Sequence, residues 1–173
     1  MDHVQMTLGV VVFLVILALA FDFMNGFHDA ANAIATVVST RVLTPYQAVM
    51  LATVCNFGAI FIFELKVAAT IGKGTIEPSI IDHYVIFGAL VGAIVWNIVT
   101  WYFGIPSSSS HALIGGLVGA AVAKAGFSSL ISAGLIKTVS FILLSPLLGM
   151  LLGSLMLLLM SWLFRDKTPR KVD

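Results

Sequence analysis

The chain of 173 residues carries very little charge, since nine Lys and Arg residues and eight Asp and Glu residues make up only 10% of it. A soluble domain usually has about a quarter charged residues, which keep its surface hydrated. Hydrophobic residues make up 60% of the chain, and its mean hydropathy is +1.08. This composition excludes an ordinary soluble domain and predicts an integral membrane protein.

Basic patches and cysteine pairs are also lacking. The formal net charge of +1 argues against a nucleic-acid partner, because binding to a phosphate backbone needs a concentrated basic patch. Cys55 is the single cysteine, which excludes a disulfide within the chain and a thiolate metal site. The first apolar run, residues 8–23, has neither a basic segment before it nor a cleavage site after it. We therefore expect a retained span rather than a signal peptide.

Apolar runs of about 20 residues, the length that crosses a bilayer, recur along the chain. They predict an all-α membrane protein with about five transmembrane helices plus short broken or re-entrant helices. The predicted spans are residues 8–25, 46–65, 84–103 and 111–122, and a last span within 129–164 that is broken or bent at Pro146. Residues 30–42 are expected to form a separate half-helix, and residues 129–137 a short helix before the last span.

The carboxyl end is the most basic part of the chain. Its basic residues are Arg165, Lys167, Arg170 and Lys171. Because cytoplasmic loops and tails are enriched in Lys and Arg, we predict a cytoplasmic tail and, with five crossings, an amino terminus outside the cell. The expected organisation is a membrane domain over residues 1–164, followed by a basic tail or linker over 165–173, in the plasma (cell inner) membrane.

Polar side chains follow the first apolar run at spacings of three and four residues, which places them on one stripe of a helix. They are Asp22, Asn25, Asp29, Asn32 and Thr36. A carboxylate at the bilayer centre costs about 2.5 to 3.5 kcal/mol, so the stripe must face protein or a water-filled cavity. Its carboxylate, amide and hydroxyl oxygens are ligands that hard cations prefer. We predict that these five residues form a cation site, and that Gly26 lets the helix open.

A second polar cluster interrupts the apolar sequence after the third predicted span. Pro106 ends the incoming helix, and the four hydroxyls that follow belong to Ser107, Ser108, Ser109 and Ser110. A serine cap leaves free backbone amides at the start of the next helix, and such amides bind phosphate. We predict that the four serines form an anion site, and that Asn25 and Asn32 can serve either ligand. His28 and His111 are expected to be structural.

Weaker polar positions lie inside the second and third spans. We expect Asn56, Asn97 and Thr100 mainly to form hydrogen bonds between helices, with Asn97 or Thr100 lining the path as the alternative. Small residues recur at four-residue spacing as Gly88 with Gly92, Gly115 with Gly119, and Gly149 with Gly153, and they predict close approach of helix backbones.

Two motifs, NGFHDAANAIAT at residues 25–36 and PSSSSHALIG at residues 106–115, closely resemble the bacterial branch of the inorganic phosphate transporter (PiT) family. The resemblance extends over nearly the whole chain and corresponds to the amino-terminal half of the family. It implies symport of inorganic phosphate with sodium or protons by two inverted-topology repeats, of which this chain is one. No cofactor is implied beyond the coupling ion, with sodium expected. The second half is expected in the same chain, in a separate polypeptide or in a homodimer.

Two other interpretations remain open at this point. A membrane-embedded hydrolase would use Asp22 and Asp29 as a dyad, or His28, Asp29 and His111 as metal ligands. Two acids seven residues apart on one helix cannot easily share a proton, which disfavours the dyad. A structural membrane subunit would tolerate replacement of both acids by amides.

Overall fold

The structure, a computed structural model, describes residues 7–62 and 74–165. These residues form five α-helices: α1 (Leu8–Ser39), α2 (Pro45–Ile62), α3 (His83–Tyr102), α4 (Ser109–Ala125) and α5 (Ser132–Leu163). Two single-turn 3-10 helices, Pro78–Ile80 and Phe127–Ser129, precede α3 and follow α4. In this part of the chain, β pairing is limited to a single bridge between Ile76 and Leu130. The predicted all-α class is confirmed.

The chain divides into two compact units, one up to Ile131 and one from Ser132 onward. The first unit holds α1 to α4, and the second holds α5. The predicted end of the second span at residue 65 and most of the basic tail lie outside the described residues. The membrane domain over 1–164 and the tail over 165–173 stay predictions.

Three helices, α1, α3 and α5, are long and apolar enough to cross a membrane, judged by length and composition. α1 and α5 have 32 residues each, which corresponds to about 48 Å of helix at 1.5 Å per residue. The hydrocarbon core is about 30 Å thick, so either helix exceeds one crossing. The number of five crossings stays a prediction.

The first helix is continuous where a break was predicted. α1 runs without interruption from Leu8 to Ser39, so the separate half-helix over residues 30–42 and the opening at Gly26 are wrong. One glycine costs a helix only about 1 kcal/mol relative to alanine. A break in lipid would leave several backbone groups without hydrogen bonds, each at a cost of several kcal/mol. The continuous helix is therefore the cheaper conformation.

The last helix is also continuous. α5 begins at Ser132 and passes through Pro146 to Leu163, so the short separate helix over residues 129–137 and the break at Pro146 are wrong. Membrane helices tolerate proline because local adjustments and neighbouring groups satisfy the carbonyl that proline leaves free.

The predicted break at Pro106 is confirmed. α3 and α4 are separated by non-helical residues 103–108, and Gly104 has a left-handed φ of 63° that favours glycine. Ser108 caps α4, since its hydroxyl accepts a hydrogen bond of 3.4 Å from the backbone amide of His111. The amino-terminal end of α4 is thereby turned back toward α1 and α3.

α3 is the central helix of the first unit and packs most extensively against α4, then against α1. Its buried side chains Leu90 and Ala93 form a core with Phe21 of α1. Gly88 and Gly92 face α4: a Cβ added to them would lie 3.2 Å from Cβ of Ala120 and 3.6 Å from Cα of Gly116. The predicted close packing through these two glycines is confirmed.

The glycines of α4 behave differently from the prediction. A Cβ at Gly115 or Gly119 would have nothing within 4 Å among the described residues, whereas one at Gly116 would lie 3.2 Å from Cα of Ala89 and collide with its carbonyl oxygen. The predicted pair on α4 is wrong, and Gly116 is the residue that lets the two backbones approach.

A charged pair joins the start of α3 to the end of α4. Asp82 caps α3 by accepting a hydrogen bond of 3.0 Å from the amide of Val85, and its carboxylate lies 2.8 Å from Nζ of Lys124. Lys124 also donates to the carbonyl oxygen of Ile80 at 2.8 Å. The hydrogen bond from Lys124 holds the pKa of the Asp82 carboxyl below its usual value of 3.8.

Candidate functional site

The two sequence motifs meet at the buried side chain of Ser109, in the first turn of α4. Its hydroxyl is hydrogen-bonded to the side-chain oxygen of Asn25 and lies 2.9 Å from Oδ2 of Asp29. Ser109 is fully buried, while 47% of the Asp29 side chain is exposed. The structure therefore brings part of the α1 stripe into direct contact with the serine cluster.

This contact has more acceptors than hydrogens. A hydroxyl carries one hydrogen, yet Ser109 faces both an amide oxygen of Asn25 and a carboxylate oxygen of Asp29. Together with Oγ of Ser109 itself, three side-chain oxygens lie at this contact, and they share a single hydroxyl hydrogen. Such a cluster of oxygens, one of them formally charged, has the chemistry of a site for a hard cation.

A second contact between α1 and α3 lies next to the first. Nε2 of His28 is 3.4 Å from the hydroxyl of Thr100, and Nδ1 of His28 is 3.6 Å from Oδ1 of Asp29. Only 7% of the His28 side chain is exposed. Thr100 was predicted to bond between helices, and this is what it does. His28 is a packed residue that borders the site through Asp29.

The four serines have four different environments. Ser107 accepts a hydrogen bond of 3.1 Å from the indole nitrogen of Trp96, Ser108 is the cap of α4, and Ser109 is buried against α1. Ser110 is exposed, and its hydroxyl has no hydrogen bond within the described residues. The side chains of Ser107 and Ser109 are thus already engaged, while the exposed Ser110 is available to a ligand.

Two cavities flank α1 at this level. A groove of about 760 Å³ between α1 and α2 is lined by Asn25 and Asp29 and by the polar Thr53 and Asn56 of α2. A smaller cavity of about 350 Å³ lies between α1 and the break after α3, and Asn32 lines it together with His28 and Thr100. Asp29 reaches both the groove and Ser109.

The stripe is therefore only partly assembled around the serines. Asn25 and Asp29 contact Ser109, and Asn32 faces the neighbouring cavity. Asp22 and Thr36 are exposed, and neither bonds to the serines in the part of the chain described. The metal-dependent form of the hydrolase alternative, with His28, Asp29 and His111 as ligands, finds no geometric basis there, since no group of three His, Cys, Asp or Glu residues is placed to hold a metal ion in residues 7–62 and 74–165.

Three residues of the site region carried only weak signals in the sequence. Thr53 and Asn56 line the groove, although Asn56 was predicted to bond between helices and Thr53 was not singled out. Asn97 is fully buried, and neither atom of its amide has a hydrogen-bond partner among the described residues. The signal available was a polar residue inside an apolar span, which does not distinguish a helix contact from a ligand.

Comparisons with known proteins agree on one family. Residues 25–172 match the sequence profile of the Phosphate transporter family. The chain is 60% identical over 160 residues to a probable low-affinity inorganic phosphate transporter of Rhizobium meliloti (strain 1021), covering 92% of this chain and 48% of the relative. It is 48% identical over 164 residues to a protein of the same description from Bacillus subtilis (strain 168), covering 94% of this chain and 49% of the relative.

A solved structure described as "The sodium-dependent phosphate transporter" is similar with a TM-score of 0.85 and 29% identity, covering 95% of this chain and 42% of that one. The chain spans about half the length of the two relatives above. These proteins are described as transporters and not as enzymes. With a profile match over most of its length and three apolar helices of spanning length, the chain is a membrane protein that belongs to the phosphate transporter family.

Proposed function

We propose that this chain is one half of a symporter that carries inorganic phosphate across the plasma membrane together with sodium. The observation that supports this most strongly is the contact of Ser109 with both Asn25 and Asp29, because it joins the acid-bearing stripe to the start of α4. The relatives are described as phosphate transporters, and the similar solved structure as sodium-dependent. Protons are the alternative coupling ion.

The cation is assigned to the oxygens around Ser109. Asp29 supplies a negative charge, and Asn25 and Ser109 supply neutral oxygens from a second position on α1 and from α4. The excess of hydrogen-bond acceptors over hydrogens at this contact favours a bound cation over a simple hydrogen bond. Asp22, Asn32 and Thr36 belong to the proposed cation path on sequence grounds, with Asn32 nearest to the site.

Phosphate is assigned to the amino-terminal end of α4. The backbone amides of Ser109 and Ser110 and the hydroxyl of Ser110 have no partner in the described residues, and a helix amino terminus carries a partial positive charge of about half a unit. Ser107 and Ser108 shape this end through Trp96 and the helix cap. Asn25 and Asn32 border the same region from α1. Donors of this kind bind phosphate without a buried positive side chain.

Coupling follows from the adjacency of the two subsites. Ser109 connects them, since its side chain contacts the oxygens of the proposed cation subsite and the next residue, the exposed Ser110, belongs to the proposed anion subsite. A bound cation lowers the cost of burying phosphate in the membrane, and phosphate lowers the cost of burying the cation. Each ligand is therefore expected to raise the affinity of the other by the same factor.

The second half of the carrier would cover the groove between α1 and α2. An Asp29 side chain that is 47% exposed cannot face lipid without a cost of about 2.5 to 3.5 kcal/mol. We propose that an inverted repeat, supplied by a further segment, by a second polypeptide or by a copy of this chain in a homodimer, closes this groove and completes the site.

Reconstitution into vesicles tests the proposal. The chain is purified alone and together with a candidate second half, and uptake of labelled phosphate is followed under imposed sodium and proton gradients. Uptake driven by an inward sodium gradient is expected only where both halves are present. Uptake that ignores both gradients, or a preparation with both halves that takes up no phosphate, would contradict the proposal.

A further inference from the structure

Asn97 is the most anomalous polar residue of the first unit. It lies in the middle of α3, it is 0% exposed, and neither its amide oxygen nor its amide nitrogen has a hydrogen-bond partner in the described residues. Buried polar groups are nearly always hydrogen-bonded, because leaving one unsatisfied is costly. A carboxamide with both ends free inside a helix junction therefore has the donor and acceptor needed to bind a ligand.

The packing of α3 against α4 gives the level of Asn97 along α4. Gly88 approaches Ala120 and Gly92 approaches Gly116, so the helices are antiparallel and each step forward on α3 corresponds to one step back on α4. Asn97 lies five residues after Gly92 on α3, and the position five residues before Gly116 on α4 is residue 111. Asn97 also lies eight residues after Ala89, which contacts Gly116. The position eight residues before Gly116 on α4 is residue 108. Asn97 therefore lies at the level of residues 108–111.

The packing of α3 against α1 gives a second, independent level. Thr100 is in contact with His28, and Leu90 and Ala93 pack on Phe21, so these two helices run in parallel. Asn97 lies three residues before Thr100 on α3, and residue 25 lies three residues before His28 on α1. Asn97 is thus level with the two residues, Asn25 and Ser109, whose side chains meet between α1 and α4.

We propose that Asn97 is the ligand that α3 contributes to this site, with its carboxamide oxygen toward the coupling cation and its amide nitrogen toward phosphate. The inference rests on the proposed function and adds a residue that bridges the two subsites. A carboxamide is suited to this position because it offers an acceptor and a donor on one rigid group. It would add an oxygen from a third helix to the cluster of Asn25, Asp29 and Ser109.

Two isosteric substitutions separate the two ends of the amide. Asn97→Leu removes both polar atoms, while Asn97→Asp keeps the oxygen and removes the donor. Both are made in the reconstituted preparation with both halves, and the sodium concentration for half-maximal uptake and the KM for phosphate are measured separately. Ile98→Leu, at an adjacent position that is 46% exposed, is the matched control and is expected to behave as the wild type.

For Asn97→Leu we expect both values to rise at least about tenfold, the factor that the loss of one charge-assisted contact produces. For Asn97→Asp we expect the KM for phosphate to rise and the sodium dependence to persist. The thermal unfolding temperature is also measured without sodium and phosphate. If Asn97 had only a structural role, Asn97→Leu would lower this temperature. Because a free buried amide stabilises nothing, Asn97→Leu should unfold at the wild-type temperature or above it, and should lose the extra stability that the two ligands confer on the wild type.

Several results would overturn the inference. They are wild-type sodium and phosphate dependence in Asn97→Leu, a lower unfolding temperature of Asn97→Leu in the absence of both ligands, and an equal loss of sodium affinity in Asn97→Asp and Asn97→Leu. If the wild type itself shows no sodium-driven phosphate uptake, the proposed function fails and the inference fails with it. If the wild type is sodium-driven and Asn97→Leu is unchanged, the inference alone is wrong.

Discussion

Ser109 is the residue at which the two motifs meet, and its chemistry is simple. One hydroxyl hydrogen is shared between the oxygens of Asn25 and Asp29, and the surrounding helices exclude the side chain from solvent. Loss of this hydroxyl would remove one oxygen from the proposed cation cluster and the bond that ties α4 to α1. Hydrogen bonds to charged groups contribute about 1.5 to 3 kcal/mol.

Ser109→Ala is therefore expected to reduce phosphate uptake at least about tenfold at a fixed low sodium concentration, with normal insertion into the membrane. The measurement is initial uptake of labelled phosphate per inserted protein. Ser128→Ala, at an exposed position in the turn after α4, is the control and should leave uptake unchanged. A Ser109→Ala variant within about twofold of the wild type would count against the assigned cluster.

The meeting of the two motifs could be anticipated from the residues alone. Two acids within an apolar helix and four hydroxyls after a proline are all costly in lipid, so each set needed a polar neighbour. What could not be anticipated is which side chains face each other. Helical spacing places Asp22 and Thr36 on the same stripe as Asp29, but only the packing of α4 across the middle of α1 selects Asn25 and Asp29. The sequence predicts Asn97 mainly as a helix contact, with lining of the path as the alternative, because its lack of a partner is a property of the packed structure.

The junction of α3 and α4 determines where the start of α4 lies. Gly116 packs directly against the backbone of Ala89, and this contact sets the distance between the two helix axes. Four-residue spacing of glycines predicted the α3 side of this contact correctly and chose the wrong pair on α4. The spacing shows that small residues recur along each helix. Which of them face the neighbouring helix depends on the rotation of the helix about its axis, and this rotation depends on all of its neighbours.

Gly116→Ala is expected to destabilise the protein by on the order of 1 to 3 kcal/mol, the usual cost of overpacking against a rigid neighbour. The added Cβ would meet backbone rather than a flexible side chain, so one helix must shift and carry Ser109 with it. The thermal unfolding temperature in detergent should fall, and phosphate uptake should fall with it. Gly119→Ala has open space around it and should be neutral or slightly stabilising. Equal effects of the two substitutions would contradict the packing described.

The charged pair at the other end of the same junction gives a pH dependence. Because the hydrogen bond from Lys124 lowers the pKa of Asp82 in the folded protein, the pair contributes stability above the ordinary value of 3.8. This contribution disappears as the pH falls through the lower folded value. Both side chains are about one-third exposed, so solvent screening limits the contribution to less than about 1 kcal/mol.

Lys124→Met is expected to lower the unfolding temperature by a small amount at neutral pH. The difference from the wild type should shrink as the pH is lowered below 3.8, since protonated Asp82 no longer attracts Lys124. Thermal unfolding of both proteins across this range is the measurement. A difference that stays constant down to the most acidic sample would show that the lysine acts through packing instead.

At the scale of the whole molecule, the basic residues at the carboxyl end predict the orientation in the membrane. We predict an outer amino terminus and a cytoplasmic carboxyl-terminal tail. Cys55 is the single native cysteine, so a Cys55→Ser background allows a new cysteine to be placed at Asp2 or at Lys167.

With a membrane-impermeant thiol reagent, cysteine at position 2 should be labelled in intact cells or spheroplasts, and cysteine at position 167 only in inside-out vesicles. The physical reason is retention of Lys and Arg on the cytoplasmic side during insertion. Labelling of both positions from the same side would mean an even number of crossings and would contradict the predicted five.

The proposed coupling depends most on the charge of Asp29. This side chain of α1 lines the groove between α1 and α2 and contacts Ser109 of α4. Asp29→Asn keeps the shape of the side chain and an oxygen for Ser109 while removing the charge that we propose attracts the cation. The most direct test is sodium-driven uptake of labelled phosphate by this variant, reconstituted with both halves, beside Asp82→Asn as a control acid at the start of α3. We predict that Asp29→Asn inserts normally and shows no gradient-driven uptake, while Asp82→Asn transports phosphate. Sodium-driven uptake by Asp29→Asn at the wild-type rate would contradict it.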